Sequence, residues 1–363
     1  MTDLLYSEEE EALRSAVRGL LADHCDATSV LARVETDEPH DRALWKSLTE
    51  GMGLAGLLIP EEFGGQGATH REAAVVLEEL GRSVAPVPYL TSAVVATEAL
   101  LDCAGDEASA LLSSLASGRT VGVLAVPLSA APGQGFGGVR EEGGRLDGRV
   151  TGVADAAAAD VLLVPTSSGL CVVDVGEDGV TVEPQTSLDR TRPVATVTFA
   201  GAHARVLTDN AVPAVRRALR AGAGLLASEQ LGVADWCLTE TVRYTRERHQ
   251  FNRPVGSFQA LKHRLAQVWL EVVGTRAAAR SAADTLAAGS DDADVAVAVA
   301  QAYAGPAAVH AAEEALQLHG GIGMTWEHPV HLYLKRAKAD SIALGTAGRH
   351  REELAELVDL RAP

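Results

Sequence analysis

The sequence predicts an α+β chain built in three successive parts, helical, then β, then helical again. Three observations carry this expectation. Apolar residues recur at helical spacing from Ser7 to about Gly118. From Thr120 the texture changes to short β-branched runs bounded by Gly, Asp or Pro. From Leu207 helical periodicity returns and persists to the end. The expected divisions are an N-terminal helical domain over 1–118, a middle antiparallel β domain over 119–206 and a C-terminal four-helix bundle over 207–363. A chain of 363 residues suits two or three such units.

Each element has a local reason. Ser7 with Glu10 three residues later is a capping-box pattern, and the periodic ALRSAVRGLLADH behind it predicts a helix to about His24. A polar stretch runs on through Pro39. RALWKSLTEGMG reads as a second helix ending at Gly51 or Gly53. GLAGLLIPEEFGGQG closes its apolar run at Pro60 and turns on paired glycines. HREAAVVLEELGR is an amphipathic helix stopped by Gly81 and then Pro86 and Pro88, and TSAVVATEALLD and EASALLSSLAS finish the first part. TVGVLAVPL, RLDGRVTGV, ADVLLVPT, GLCVVDV, GVTVEP and VATVTFAG read as strands. The last part predicts helices over about 210–246, 258–288, 291–319, 331–339 and 348–360. Their alanine-rich faces suit packing against each other or against another subunit's copies.

Composition narrows the function classes. Hydrophobic residues are 47% and charged residues 22%, as in an ordinary globular protein. The net charge of −18 argues against nucleic acid and an anionic membrane surface as partners. One local basic cluster, Arg246, Arg248, Arg253, Lys262 and Arg264, suits an anionic ligand. Four dispersed cysteines with no CxxC or metal-ligand spacing predict reduced thiols, no metal site and a cytoplasmic setting. The acidic N-terminus does not resemble a signal peptide, and no apolar run approaches the ~20 residues of a membrane span.

Two stretches carry the chemistry. RHQFNRPVGSFQ, from Arg248 to Gln259, reads as a loop and helix start presenting Arg248, Phe251 and Gln259 to a phosphate-bearing cofactor. A guanidinium fork matches phosphate oxygens, and a helix start offers donors to an anion. QLHGGIGMTWEHP, from Gln317 to Pro329, is its expected partner, with Gly320 and Gly321 allowing close backbone approach. Taken one at a time, Arg248 reads more simply as an ion-pair partner of Glu247 or Asp235, and the glycine pair as a helix C-cap. Their joint occurrence favours the cofactor reading.

GLAGLLIPEEFGG, AVVLEELGR, YTRERHQFNRPVGSFQALKHRLA and QLHGGIGMTWEHPVHLYLKRA, in that order, resemble the acyl-CoA dehydrogenase family across nearly the whole chain. The resemblance implies an acyl-CoA dehydrogenase-like fold with a cleft for FAD shared between neighbouring subunits. It implies removal of the α and β hydrogens of an acyl-CoA thioester. It assigns FAD contacts to Arg248, Phe251, Gln259, Gln317, Gly320, Gly321 and Thr346.

The departures from the family pattern are more informative. The family's general base is a glutamate before a Gly-Thr pair; Gly345 and Thr346 are present, but the base position is Leu344. The alternative base position, on the earlier helix, is Gly222, and the arginine that normally follows is Ala223. Neither leucine nor glycine can take an α-proton, so no catalytic residue is expected in this chain. The flavin-binding segments of the β domain look like LAVPLSAAPGQG and GRVTGVADAAAADV, with Ser129 as one surviving polar group. No tryptophan lies between Trp45 and Trp236 to cover a flavin.

The expectation is therefore a base-less subunit of a heteromeric acyl-CoA dehydrogenase, of α2β2 type, whose homologous partner holds most of the FAD. Actinobacterial members acting on sterol side-chain CoA thioesters resemble this arrangement, which makes a steroid or other bulky acyl-CoA the expected substrate. Two alternatives stand beside it. One is a self-sufficient flavoenzyme with a displaced base, Asp340 or Glu229. The other is a non-catalytic scaffold. Asp235 is a third helix carboxylate, His319 is expected to position the glycine turn, and Trp326 with Glu327 to close a packing cluster.

Overall fold

The structure is a computed structural model and describes residues 4–360. Among the described residues six α-helices come first: α1 Glu8–His24, α2 Ala27–Val34, α3 Arg42–Lys46, α4 His70–Arg82, α5 Thr97–Leu100, extended at its start by a π-helical stretch Tyr89–Ala96, and α6 Asp106–Ala116. The capping box of α1 forms as its sequence predicts, Ser7 accepting from the Glu10 amide and Glu10 accepting from that of Ser7. Thr69 and Glu72 do the same for α4. The α2 segment departs from expectation: the polar stretch is a helix, started by Asp26, whose carboxylate accepts from the Ser29 amide at 2.8 Å. Its Thr, Ser and Val residues are poor helix formers and hid it. Gly81 does not stop α4, which runs to Arg82.

Eight strands follow: β1 Gly122–Leu124, β2 Val139–Glu142, β3 Arg145–Ala154, β4 Val161–Thr166, β5 Gly169–Asp174, β6 Val180–Pro184, β7 Val194–His203 and β8 Arg205–Thr208. They form two four-stranded sheets, β1-β4-β5-β8 and β2-β3-β7-β6. The expectation of a wholly antiparallel region needs one correction: β1 pairs with β4 in parallel, Gly122 opposite Val161. The chain between them visits the second sheet, and only such a long crossover permits parallel pairing. The short, charged edge strand β2 (VREE) has no alternating pattern to announce it.

The last part holds α7 Ala211–Glu247, a hairpin of β9 His249–Gln250 and β10 Arg253–Pro254, α8 Gln259–Ala287, α9 Ala293–His319, α10 Val330–Asp340 and α11 Ala347–Leu357. At 37 residues, α7 is roughly 55 Å long and packs against α4, α8, α9 and α10. Residues 293–324 correct another expectation. They are long and apolar enough, with mean hydropathy 1.3, to cross a membrane by length and composition. Much of that apolarity is alanine buried against α7, α8, α10 and α11, as an inner bundle helix requires.

The first and last parts meet where α4 crosses α7, and two glycines set the distance. A Cβ built on Gly232 would lie 1.9 Å from the Glu78 carbonyl oxygen, and one on Gly81 would lie 2.2 Å from that of Glu229. No side chain fits between the two backbones. Gly232→Ala must push the helices apart, and overpacking of this kind costs about 1–3 kcal/mol. Urea unfolding should show that loss, whereas Gly19→Ala, in open space on α1, should not lower stability.

Candidate functional site

The segment after α7 is built to project. The β9–β10 hairpin pairs Gln250 with Arg253 and turns on Phe251 and Asn252, both at positive φ (52° and 59°). That is the two-residue turn whose twist suits a hairpin. Asn tolerates it, but a bulky aromatic rarely does. Phe251 is nevertheless held there, 85% exposed and edge-on to Phe258, ring centroids 6.1 Å apart. Arg253 lies over the other ring, 3.9 Å from the Phe258 centroid. Sequence reasoning finds only a proline turn here; Phe-Asn carries no hairpin signature.

Behind the hairpin lies an open cleft of about 520 Å³. Arg248, Phe251, Gln317, Gly320 and Gly321 line it, so the structure brings together five of the seven candidate cofactor residues. Tyr244 and Phe258 add aromatic walls that sequence reasoning passed over. Arg248 is the C-cap of α7, and its guanidinium makes no ion pair among the described residues. The expected competitors are engaged elsewhere: Glu247 pairs with Arg243, and Asp235 with Arg82 and Arg276. Gly320 ends α9 at φ 61°, and Cβ atoms built on Gly320 and Gly321 would meet nothing within 4 Å. The glycine turn thus faces open space where a ligand backbone or phosphate could come close.

The other two candidates lie elsewhere. Gln259 opens α8 with its side chain exposed beside the cleft rather than lining it. Thr346 is the N-cap of α11, accepting from the Arg349 amide at 3.3 Å. Trp326 is not in a packing cluster: it is 73% exposed, with His331 and Lys335 against its ring. His319 is buried, its Nδ1 2.6 Å from the Ala315 carbonyl oxygen and its ring stacked on Tyr244, which fits a positioning role.

The two positions expected to hold the base, Leu344 and Gly222, meet in space. A Cβ on Gly222 would lie 3.1 Å from Leu344 Cδ1 and 2.8 Å from Val95 Cγ2. Leu344 fills that place at φ 54°, and its amide donates to the Leu128 carbonyl at 2.7 Å, closing the β region onto the bundle. What remains is an apolar pocket of about 30 Å³ among Leu90, Val95, Val126, Leu219 and Leu344. That is room for about one water molecule. Ser129 lines a neighbouring pocket of only about 130 Å³.

Glu229 and Asp340 are ion-paired rather than solvated helix carboxylates. Arg192 donates to Glu229 at 2.5 Å and to Asp340 at 2.9 Å; Arg336 donates to Glu229 at 2.5 Å and Asp189 at 2.8 Å. All five side chains are buried. Two guanidinium groups face three carboxyls, so a single proton neutralises the set. Burial and the Glu229 charge raise the pKa of Asp340, which makes it the carboxyl of the three that most readily takes that proton, and its Oδ2 has no partner among the described residues. Burial opposes ionisation of Glu229 too, but its two arginines win and hold it at about 2. Neither carboxyl lines any of these clefts.

Comparisons with known proteins agree with this layout. Residues 7–119 match the model of the acyl-CoA dehydrogenase N-terminal domain, and residues 209–358 that of the acyl-CoA dehydrogenase C-terminal domain. The chain is 36% identical over 351 residues to acyl-CoA dehydrogenase IpdE2 of Mycolicibacterium smegmatis, covering 97% of this chain and 98% of the relative. It is similar to a chain of the ChsE4-ChsE5 complex from Mycobacterium tuberculosis, with TM-score 0.90, 29% identity and full coverage of both chains. It is also similar to a chain of a variant of the Tcur3481-Tcur3483 steroid ACAD, with TM-score 0.86, 31% identity, and 97% and 98% coverage.

Breaking the buried ion-pair set should be costly. Glu229→Gln leaves two buried guanidinium groups short of charge and should lose about 3–5 kcal/mol at neutral pH. Because the folded pKa of Glu229 is depressed, its contribution is complete above about 4.5 and withdrawn as pH falls toward about 2. Urea titrations should therefore show the gap between variant and wild type narrowing across that window.

Proposed function

Because the chain belongs to the acyl-CoA dehydrogenase family, a family of FAD-dependent oxidoreductases, we propose that it is the base-less subunit of a heteromeric acyl-CoA dehydrogenase. One contrast carries the reading: the chain's own base position is plugged to about 30 Å³, while the cleft behind Arg248 stands open at about 520 Å³. A plugged pocket cannot admit an acyl thioester beside a flavin. An open cleft whose rim holds a strained, exposed phenylalanine suits a ligand shared with another subunit.

The cleft fits the phosphate-bearing half of FAD by the chemistry of its walls. Arg248 supplies an uncommitted guanidinium for a pyrophosphate oxygen, the Gly320–Gly321 turn leaves backbone accessible, and Gln317 adds an amide. Phe251 and Phe258 offer apolar faces to the ribose or adenine. Gln259 and Thr346 take part from the rim and from the α11 cap. When bound, FAD supplies the hydride acceptor; proton removal from the α-carbon falls to the partner, since neither Leu344 nor Gly222 can perform it. The displaced-base alternative loses its candidates, because Asp340 and Glu229 are sealed among arginines.

The partner is a homologous subunit, and an α2β2 assembly is supported by an exposed apolar row on the bundle. Trp269, Leu270 and Val273 of α8 lie exposed, as do Val299 and Tyr303 of α9. A steroid-type acyl-CoA as substrate is supported by the likeness to the steroid complex. The unpaired thiols of Cys25, Cys103, Cys171 and Cys237 support a cytoplasmic setting.

Flavin content decides the matter. The chain purified alone should be colourless, and co-expression with its homologous partner should give one FAD per heterodimer. Arg248→Ala in this chain should weaken FAD retention by the complex about 10–100-fold, as expected for a lost hydrogen bond to a charged group. Unchanged flavin content in that variant would leave the scaffold reading, and a yellow, active lone chain would sink the proposal. Phe251→Ala should lower flavin retention by the complex while changing the lone chain's stability by less than about 0.5 kcal/mol, because the ring packs on so little.

A further inference from the structure

We propose that Glu240 of α7, His319 at the end of α9 and His328 just before α10 form a binding site for one zinc-class divalent transition-metal ion. Each residue offers one donor atom, and the three atoms lie within 4.8 Å of one another. Two imidazoles and a carboxylate are a ligand set that such ions favour, leaving a fourth position for water.

The buried histidine is the observation that points to a ligand. His319 is 1% exposed, and its Nε2 has no hydrogen-bond partner among the described residues. Its Nδ1 lies 2.6 Å from the Ala315 carbonyl oxygen, so the proton sits on Nδ1 and the Nε2 lone pair is left free to ligate. A backbone carbonyl fixing the tautomer in this way is the usual outer support of a metal-bound imidazole.

Two existing contacts must yield. Arg243 bonds both carboxylate oxygens of Glu240, but it is largely exposed and already shares Glu247, so it has somewhere to go. Exposed pairs of this kind are weak. His328 Nδ1 accepts from the Val330 amide at 3.2 Å and must take up the Nδ1–H tautomer instead. Val330 begins α10, where a first-turn amide needs no partner within the helix. His328 Nε2 and Glu240 Oε1 stand 3.9 Å apart. Tetrahedral ligation at zinc distances sets donors roughly 3.3 Å apart, so the three atoms must draw in from the 4.8 Å within which they now lie. The ion would tie three elements together directly behind the glycine turn of the cleft, which begins at the residue after His319.

Cobalt(II) is the probe, because tetrahedral ligation gives it a strong visible absorption. The metal-stripped full-length chain should take up one equivalent with that absorption, zinc should displace it, and zinc should raise the thermal midpoint reversibly with chelator. Loss of even an outer support costs 10–100-fold in metal affinity, so His328→Gln and Glu240→Gln should each weaken cobalt binding at least about tenfold. Both variants should keep the wild-type circular dichroism, since both side chains are only part-buried. His310→Gln, beside the separate Glu271 and Glu314 carboxylates, should leave the absorption intact. No cobalt uptake, or uptake indifferent to both His328→Gln and Glu240→Gln, would overturn the assignment.

Discussion

Five buried ionisable side chains hold the parts of this protein in register. Asp189 and Arg192 come from the turn between β6 and β7, Glu229 from the middle of α7, and Arg336 and Asp340 from α10. Removing that many charges from water is expensive, and only nearly complete mutual pairing makes it tolerable. The geometry is therefore all-or-none: the β region must seat on the bundle in one orientation for the set to close. The Leu344 amide donates to the Leu128 carbonyl at the edge of the small apolar pocket that both residues line.

Helix α7 acts as the common rail. Gly222, Glu229, Gly232, Glu240, Tyr244 and Arg248 lie along it in order. The plugged pocket at Gly222 and the open cleft at Arg248 are separated by 26 residues, roughly 39 Å of helix. The chain is thus two-faced, with apolar side chains filling the Gly222 end and polar and aromatic groups left uncommitted at the other. That asymmetry is unlike the loss of a single residue. Restoring a carboxylate at residue 344 alone would leave Leu90, Val95, Val126 and Leu219 still filling the space.

Much of the fold was legible because its signals are local. The capping boxes at Ser7 and Thr69 need only residues three apart, and the long periodic runs of α7, α8 and α9 need only a helix period. What was missed depends on partners. The edge strands β2 and β8 are strands because a neighbour pairs with them. The parallel β1–β4 pair depends on where the intervening chain goes. Phe251 sits in a turn that its own sequence disfavours, so the hairpin around it could not be read from Phe-Asn.

The sequence by itself determined the three-part order, the family, and that leucine and glycine stand at residues 344 and 222, since each is a matter of which residue stands where. Only the tertiary structure decided what those residues face. It showed that Leu344 and Gly222, 122 residues apart, share one plugged space, and that Glu229 and Asp340 are locked among arginines rather than free to act. It left Arg248 at an open cleft with no ion pair among the described residues, and gathered Glu240, His319 and His328 from three elements with no spacing to announce them. Chemical identity is carried along the chain, whereas burial, pairing and proximity are set by distances across it.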